Sequence, residues 1–348
     1  MGNSSSGLPT DLLKQVSRSF YLTLRVLPAV IRPPISLAYL LARTTDTIAD
    51  TQIIPPAERL QTLELLRERI LGQASAAFDL GELARHQSSP AEWSLLQRIE
   101  ESLALLDQLP AEDRQHIREV LAVIVSGQVL DLQRFADASR ERIVALNTDG
   151  ELDDYTYRVA GCVGAFWTKL CRARLFPDAP LDDDWLTTSG VRFGKGLQLV
   201  NLLRDLPRDL RQGRCYLPGE RLWAIGLTPS DLLEPANGPR LRPLKDIYLR
   251  QAEDHLAAGW RYTNALPRAH VRVRLACAWP LLIGIQTVEK LRAANMLAPE
   301  LHIKISRSDV RKIVVRTVFY YPWASAWERL FGRRGAPGNK VDSEVSFS

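Results

Sequence analysis

Apolar residues recur along this chain at the three-to-four-residue interval of helices, and no segment alternates convincingly at the two-residue interval of strands. Residues 11–31 read as a helix broken near Pro28. Pro33 and Pro34 open the next helix, which runs to Asp50, since proline is tolerated in a first turn. After Pro55 and Pro56 an amphipathic helix covers 57–72, and small polar residues make 76–90 a loop. Helices follow over 91–108 and 111–137. Another opens at Leu152 with Asp153 or Asp154 as its N-cap. One more covers 186–206, with Pro207 expected to kink it. Residues 219–245 are an excursion with short helical pieces, then helices cover 246–265 and 268–296, and a serine-capped helix begins near Ile305. The expected fold is all-α, one bundle of roughly ten or more helices.

The 348 residues are 46% hydrophobic and 24% charged, enough to bury a large core and too apolar for wholesale disorder. The net charge of +5 is mild: it suits anionic substrates or an anionic surface, and no basic block interleaved with aromatics suggests nucleic-acid binding. The cysteines Cys162, Cys171, Cys215 and Cys277 are scattered, without metal-site spacing, and read as reduced, mostly buried thiols of a cytoplasmic protein. Residues 1–10 lack signal-peptide character and read as disordered. No apolar run approaches the ~18 residues of a membrane span. The tail, 317–348, mixes aromatics with basic residues and has two readings: peripheral membrane contact, or packing on the body, with 335–348 disordered. The domain proper is then 11–316, expected as a monomer.

Two stretches carry the chemistry. Asp46 and Asp50 end one apolar helical run, and Asp205 and Asp209 end another. Carboxylates four apart on a helix share a face, about 5–6 Å apart at Cβ, and repel. A divalent metal reverses that sign, because carboxylate oxygens suit Mg²⁺. Arg43 and Arg204 stand beside the pairs, Arg214 follows, and Gln198 and Asn201 lie upstream of the second, a mixture suited to a metal-bound diphosphate. Ser17, Arg18, Ser19 and Phe20 set a cation and two hydroxyls beside an aromatic. Gly127 costs its helix roughly 1 kcal/mol against alanine, so close packing or a ligand passage is expected there, with Gln128 beside it. Gly161 and Gly164 let a helix or an apolar chain approach. Tyr155 by itself reads as a core tyrosine.

Together these residues resemble the squalene/phytoene synthase family over about 15–315. The similarity rests on Ser17 to Phe20, Tyr39, Arg43 with Asp46 and Asp50, Tyr155 to Gly161, and Gln198 to Arg214. It implies an isoprenoid-synthase helical bundle around a central apolar cavity, with Phe20, Tyr39, Gly127, Gln128 and Gly161 along it. It implies two farnesyl diphosphates as substrates and Mg²⁺ on Asp46, Asp50, Asp205 and Asp209. Ser17, Arg18, Ser19, Arg43, Gln198, Asn201, Arg204 and Arg214 would hold diphosphate, and Tyr155 would act as acid/base. Bacterial-type squalene synthases are the nearer subgroup, implying reduction by NADPH, though no Gly-rich dinucleotide fingerprint is present. Phytoene-type or hydroxysqualene synthases, which need no NADPH, are the alternative; a non-catalytic scaffold would not need all four aspartates. Ala49, Pro207 and Arg208 depart from the acidic centres common in the family.

Overall fold

Prolines and small polar residues decide where many of the helices begin. The computed structural model describes residues 10–17, 20–298, 300 and 303–332. The chain runs α1 (Thr10–Ser17), α2 (Phe20–Val26), α3 (Arg32–Asp50), α4 (Pro56–Leu71), α5 (Gly81–Arg85), α6 (Pro90–Gln97), α7 (Ile99–Gln108) and α8 (Ala111–Arg134). It continues as α9 (Asp149–Thr156), a π-helical turn (Tyr157–Gly161), α10 (Cys162–Leu175), α11 (Asp183–Leu210) and α12 (Gly219–Ala224). Last come α13 (Gly238–Ala265), α14 (Val271–Ala293), α15 (Arg307–Tyr320) and α16 (Ala324–Glu328). α3, α4 and α6 carry proline in their first turn. Ser89, Thr148, Asp182 and Ser306 cap α6, α9, α11 and α15, each accepting a backbone N–H that the helix leaves unpaired.

Several boundaries differ from the pattern-based ones. The expected loop at 76–90 holds α5, and 91–108 is two helices broken at Arg98. The 152 helix starts earlier and takes Thr148 as its cap. Asp153 and Asp154 instead pair with Lys195 (2.7 Å) and Arg158 (2.9 Å). α13 starts eight residues before 246, at Gly238, and runs through Pro243; α11 runs through Pro207. β1 (Val144–Ala145) and β2 (Arg214–Cys215) pair in parallel. Two residues are too few to show a period in sequence.

One apolar cluster is built mainly from α1–α8 and α10, a second from α11–α16. α11 packs against α9, α10, α13 and α14 and so joins the halves. Its approach to α10 is close enough to require glycine on both sides: a Cβ on Gly164 would stand 1.9 Å from the Gly190 carbonyl oxygen. Gly164→Ala is therefore expected to cost about 3 kcal/mol, near the upper end of overpacking effects, as a lower denaturant midpoint.

α14 has the length and composition of a membrane span, yet 72% of its most apolar window is buried inside the protein, as for a core helix. All four cysteines are buried and free. The 316/317 boundary falls inside α15, where the Trp279 indole donates to Thr317 (2.9 Å). Trp327 and Phe331 stack on Trp260, so the described part of the tail packs on the body; Phe319 and Trp323 face outward. Of the expected disorder at 1–10, Thr10 opens α1 instead, and the rest, with 335–348, lies outside the described residues.

Candidate active site

Two acidic pairs sit where two core helices end. Asp46 and Asp50 close α3, and Asp205 and Asp209 lie in the last turns of α11. In each pair the first carboxylate is held by an arginine. Arg43 bonds Asp46 and, across to α6, Glu92 (2.5 Å). Arg204 grips Asp205 with Nε (2.8 Å) and Nη2 (2.6 Å). Burial and then Asp50 push the Asp46 carboxyl up to about 6. Burial and then Asp205 push Asp209 up to about 7. Asp46 is nonetheless 45% exposed at its side chain, because water reaches it from the cavity while protein encloses its other sides.

A cavity of about 470 Å³ opens beside the first pair, within the usual size of a small-molecule site. Arg43, Asp46 and Asp50 line it, as do Tyr39, Gln128, Tyr155, Gln198, Asn201 and Arg214. Ile124, Leu132, Val159 and Val163 make its apolar wall. Asp205 and Asp209 follow Asn201 by one and two turns on α11 and do not line the cavity itself. Tyr39 donates to the Val16 carbonyl (3.2 Å), and Phe20 stacks behind it at 5.1 Å, so Phe20 supports the wall rather than forming it. Gly127 and Gly161 also fall outside the lining. A Cβ on Gly127 would stand 2.7 Å from Arg158 Cβ, and one on Gly161 3.2 Å from Lys195 Cγ, so close packing of helices explains both. The Ser17 hydroxyl turns back to the Leu13 carbonyl of its own helix. Arg18 and Ser19 lie outside the described residues.

Asp131 and Tyr216, not among the candidates from sequence, complete the centre. The Tyr216 hydroxyl donates to Asp131 (3.0 and 3.1 Å), and Arg214 Nη1 lies 3.4 Å from the same carboxylate. The Tyr155 ring packs on the Tyr216 ring, centroids 4.7 Å apart and tilted at 33°. Burial, then the Asp131 charge, hold the Tyr155 phenol well above its ordinary value and therefore neutral. Burial lifts Asp131 to about 6, against Arg214 and Tyr216, which oppose it. The spacing of Gln128 and Asp131 on one face of α8 was the only sequence signal for Asp131. Tyr216 had none beyond its place after Arg214.

The donor set fits Mg²⁺. Asp46, Asp50, Asp205 and Asp209 offer hard oxygens only. Among the described residues no three acidic, imidazole or thiol groups converge as one ligand set. Mg²⁺ asks for no such cage: it takes one or two carboxylates, water and phosphate oxygens. The raised carboxyls give a test. A carboxyl whose folded value lies above the unfolded one of about 4 stabilises the fold at low pH, and that contribution is lost as pH rises through the folded value. With folded values of about 6 and about 7, the metal-free protein is expected to melt at lower temperature at pH 8 than at pH 5. Mg²⁺ is expected to raise the melting temperature more at pH 8. Equal Mg²⁺ shifts at both values would refute the assignment.

A helical bundle with one acidic pair in the wall of a partly apolar cavity and a second pair near the end of another core helix is the architecture of isoprenoid synthases. The chain matches the squalene/phytoene synthase family over residues 13–309, and it belongs to that family. It is 29% identical to the presqualene diphosphate synthase of Zymomonas mobilis over 73% of this chain and 74% of that one. It is also 29% identical to the bifunctional lycopene cyclase/phytoene synthase of Blakeslea trispora, over 61% of this chain but only 32% of that longer protein. The squalene synthase HpnC of Alicyclobacillus acidocaldarius has a similar fold, with a TM-score of 0.57 at 20% identity over 82% of this chain and 94% of that one.

Proposed function

We propose that this protein condenses two farnesyl diphosphates head to head into presqualene diphosphate and, with NADPH, reduces that to squalene. The observation that carries the reading is the Tyr216–Asp131 hydrogen bond with the Tyr155 ring packed on Tyr216, all three side chains lining the cavity beside Asp46 and Asp50. Asp46, Asp50, Asp205 and Asp209 would hold Mg²⁺, which when bound supplies charge neutralisation to a departing diphosphate. Arg43 and Arg204, now on Asp46 and Asp205, present guanidinium forks suited to phosphate oxygens. Gln198 and Asn201 line the same approach.

Loss of diphosphate leaves an allylic cation. Ile124, Leu132, Val159 and Val163 keep water from it, and Tyr39 offers an aromatic face. The second substrate's double bond attacks C1, and closing the cyclopropane releases one proton. Tyr155 oxygen takes that proton while passing its own to Tyr216, and Tyr216 passes its own to Asp131. A neutral phenol is a weak base alone. Asp131, at about 6, is mostly ionised at pH 7 and accepts the proton at the end of the relay.

The similarity to phytoene synthases makes a longer substrate the alternative. Product analysis with farnesyl or geranylgeranyl diphosphate, Mg²⁺, and with or without NADPH separates the two. Presqualene diphosphate without NADPH and squalene with it are expected. A C40 product from geranylgeranyl diphosphate alone, or a C30 hydrocarbon or alcohol made without NADPH, would overturn the proposal.

A further inference from the structure

A second cavity, of about 500 Å³, lies on the other side of Arg214 from the first and shares that residue with it. Four more arginines line it: Arg59 from α4, Arg140 after α8, and Arg208 and Arg211 at the end of α11. None of its twelve lining residues is acidic. Arg59 is only 5% exposed. One of its nitrogens donates to the Ala49 carbonyl (2.6 Å), which helps close α3, but its Nε is buried without a partner. Among the described residues no carboxylate lies within 4 Å of the Arg59, Arg140 or Arg208 guanidinium groups.

Helix capping does not account for this arrangement. Arg208 and Arg211 suit the negative end of α11, and Arg59 suits that of α3. Arg140 belongs to neither helix, yet it faces the same cavity. Arg59, Arg140 and Arg208 gather where no lining residue is acidic, and burial, then Arg214, work against the Arg59 charge, with Asp50 opposing them. A ligand with two or more negative charges reverses the sign of every one of these interactions. Guanidinium forks match phosphate oxygens, and the volume exceeds what a single phosphate needs.

We propose that this arginine pocket is a second, metal-independent site for a phosphate-bearing ligand, held by Arg59, Arg140, Arg208 and Arg211. The shared chemistry is a diphosphate group, whether free inorganic diphosphate or the diphosphate of a nucleotide. Binding here does not depend on the proposed reaction, so a chain that formed no prenyl product would still give an answer.

The test is calorimetric titration of the full chain in EDTA with sodium diphosphate, ADP and NADP⁺ in turn. The parent protein is expected to bind at least one of them without Mg²⁺, more weakly as salt rises. The double variant Arg140→Gln/Arg208→Gln, altered only at exposed side chains and checked for unchanged circular dichroism, is expected to bind at least tenfold more weakly. Arg59→Met extends the test to the buried floor. Tightest binding by inorganic diphosphate identifies a released leaving group as the occupant, and tighter binding by ADP or NADP⁺ identifies a nucleotide. No binding of any probe by the parent, or equal binding by the double variant, would overturn the proposal.

Discussion

Asp46→Asn is expected to lower Mg²⁺-dependent diphosphate release from farnesyl diphosphate by on the order of 10³-fold, and Asp205→Asn by a similar factor. Each removes a charged oxygen donor from a pair proposed to hold the ion at the leaving group. The fold should not suffer for it. Asp46 is pushed up by burial and by Asp50, so removing its charge relieves repulsion, and Arg43 keeps Glu92 as a partner. The metal-free Asp46→Asn protein is therefore expected to melt no lower than the parent at pH 8. Release measured by a phosphate-coupled assay at near-parent rate would sink the metal assignment. A large drop in melting temperature would show that Asp46 is structural instead.

Asp131→Asn is expected to lower cyclopropyl product formation by roughly 10²–10⁴-fold, the usual worth of a positioned proton acceptor. Diphosphate release from the first substrate should fall far less, so released diphosphate is expected to outrun coupled product, with prenyl alcohol accumulating. Tyr155→Phe and Tyr216→Phe remove the other two hydroxyls of the proposed relay. Groups that act as a unit lose activity together, so Tyr155→Phe combined with Asp131→Asn is expected to cost little more than either alone. Additive losses would mean the three side chains act separately. Asp131 also faces Arg214, so unchanged circular dichroism is the necessary control. A normal ratio of product to released diphosphate in Tyr216→Phe would remove that tyrosine from the relay.

The arginine beside each acidic pair has a consequence for the order of events. Arg43 and Arg204 neutralise one carboxylate of each pair in the metal-free protein. Mg²⁺ held there would free both guanidinium groups for phosphate. Metal and diphosphate are thus expected to bind cooperatively, each lowering the cost of the other's site.

The helices and the acidic pairs were legible from local spacing alone. A 3.6-residue period and an i, i+4 interval are properties of one segment, so the chain states them wherever it folds. Arg43 beside Asp46 and Arg204 beside Asp205 were readable for the same reason. Short-range pattern also says that a glycine lets something approach, but not what: at Gly127 and Gly161 it is a neighbouring helix, and at Gly164 the backbone of α11. Asp131 meets Arg214 and Tyr216 across more than eighty residues, and the two-residue pairing of β1 with β2 helps hold that segment in place. The five arginines of the second cavity come from three separate regions of the chain. By itself the sequence determined the all-α class, the two acidic pairs and the arginines beside them. Only the tertiary structure decided which distant groups meet at the cavity and which cations share a pocket, because raised pKa values and like-charge crowding arise from burial and through-space neighbours.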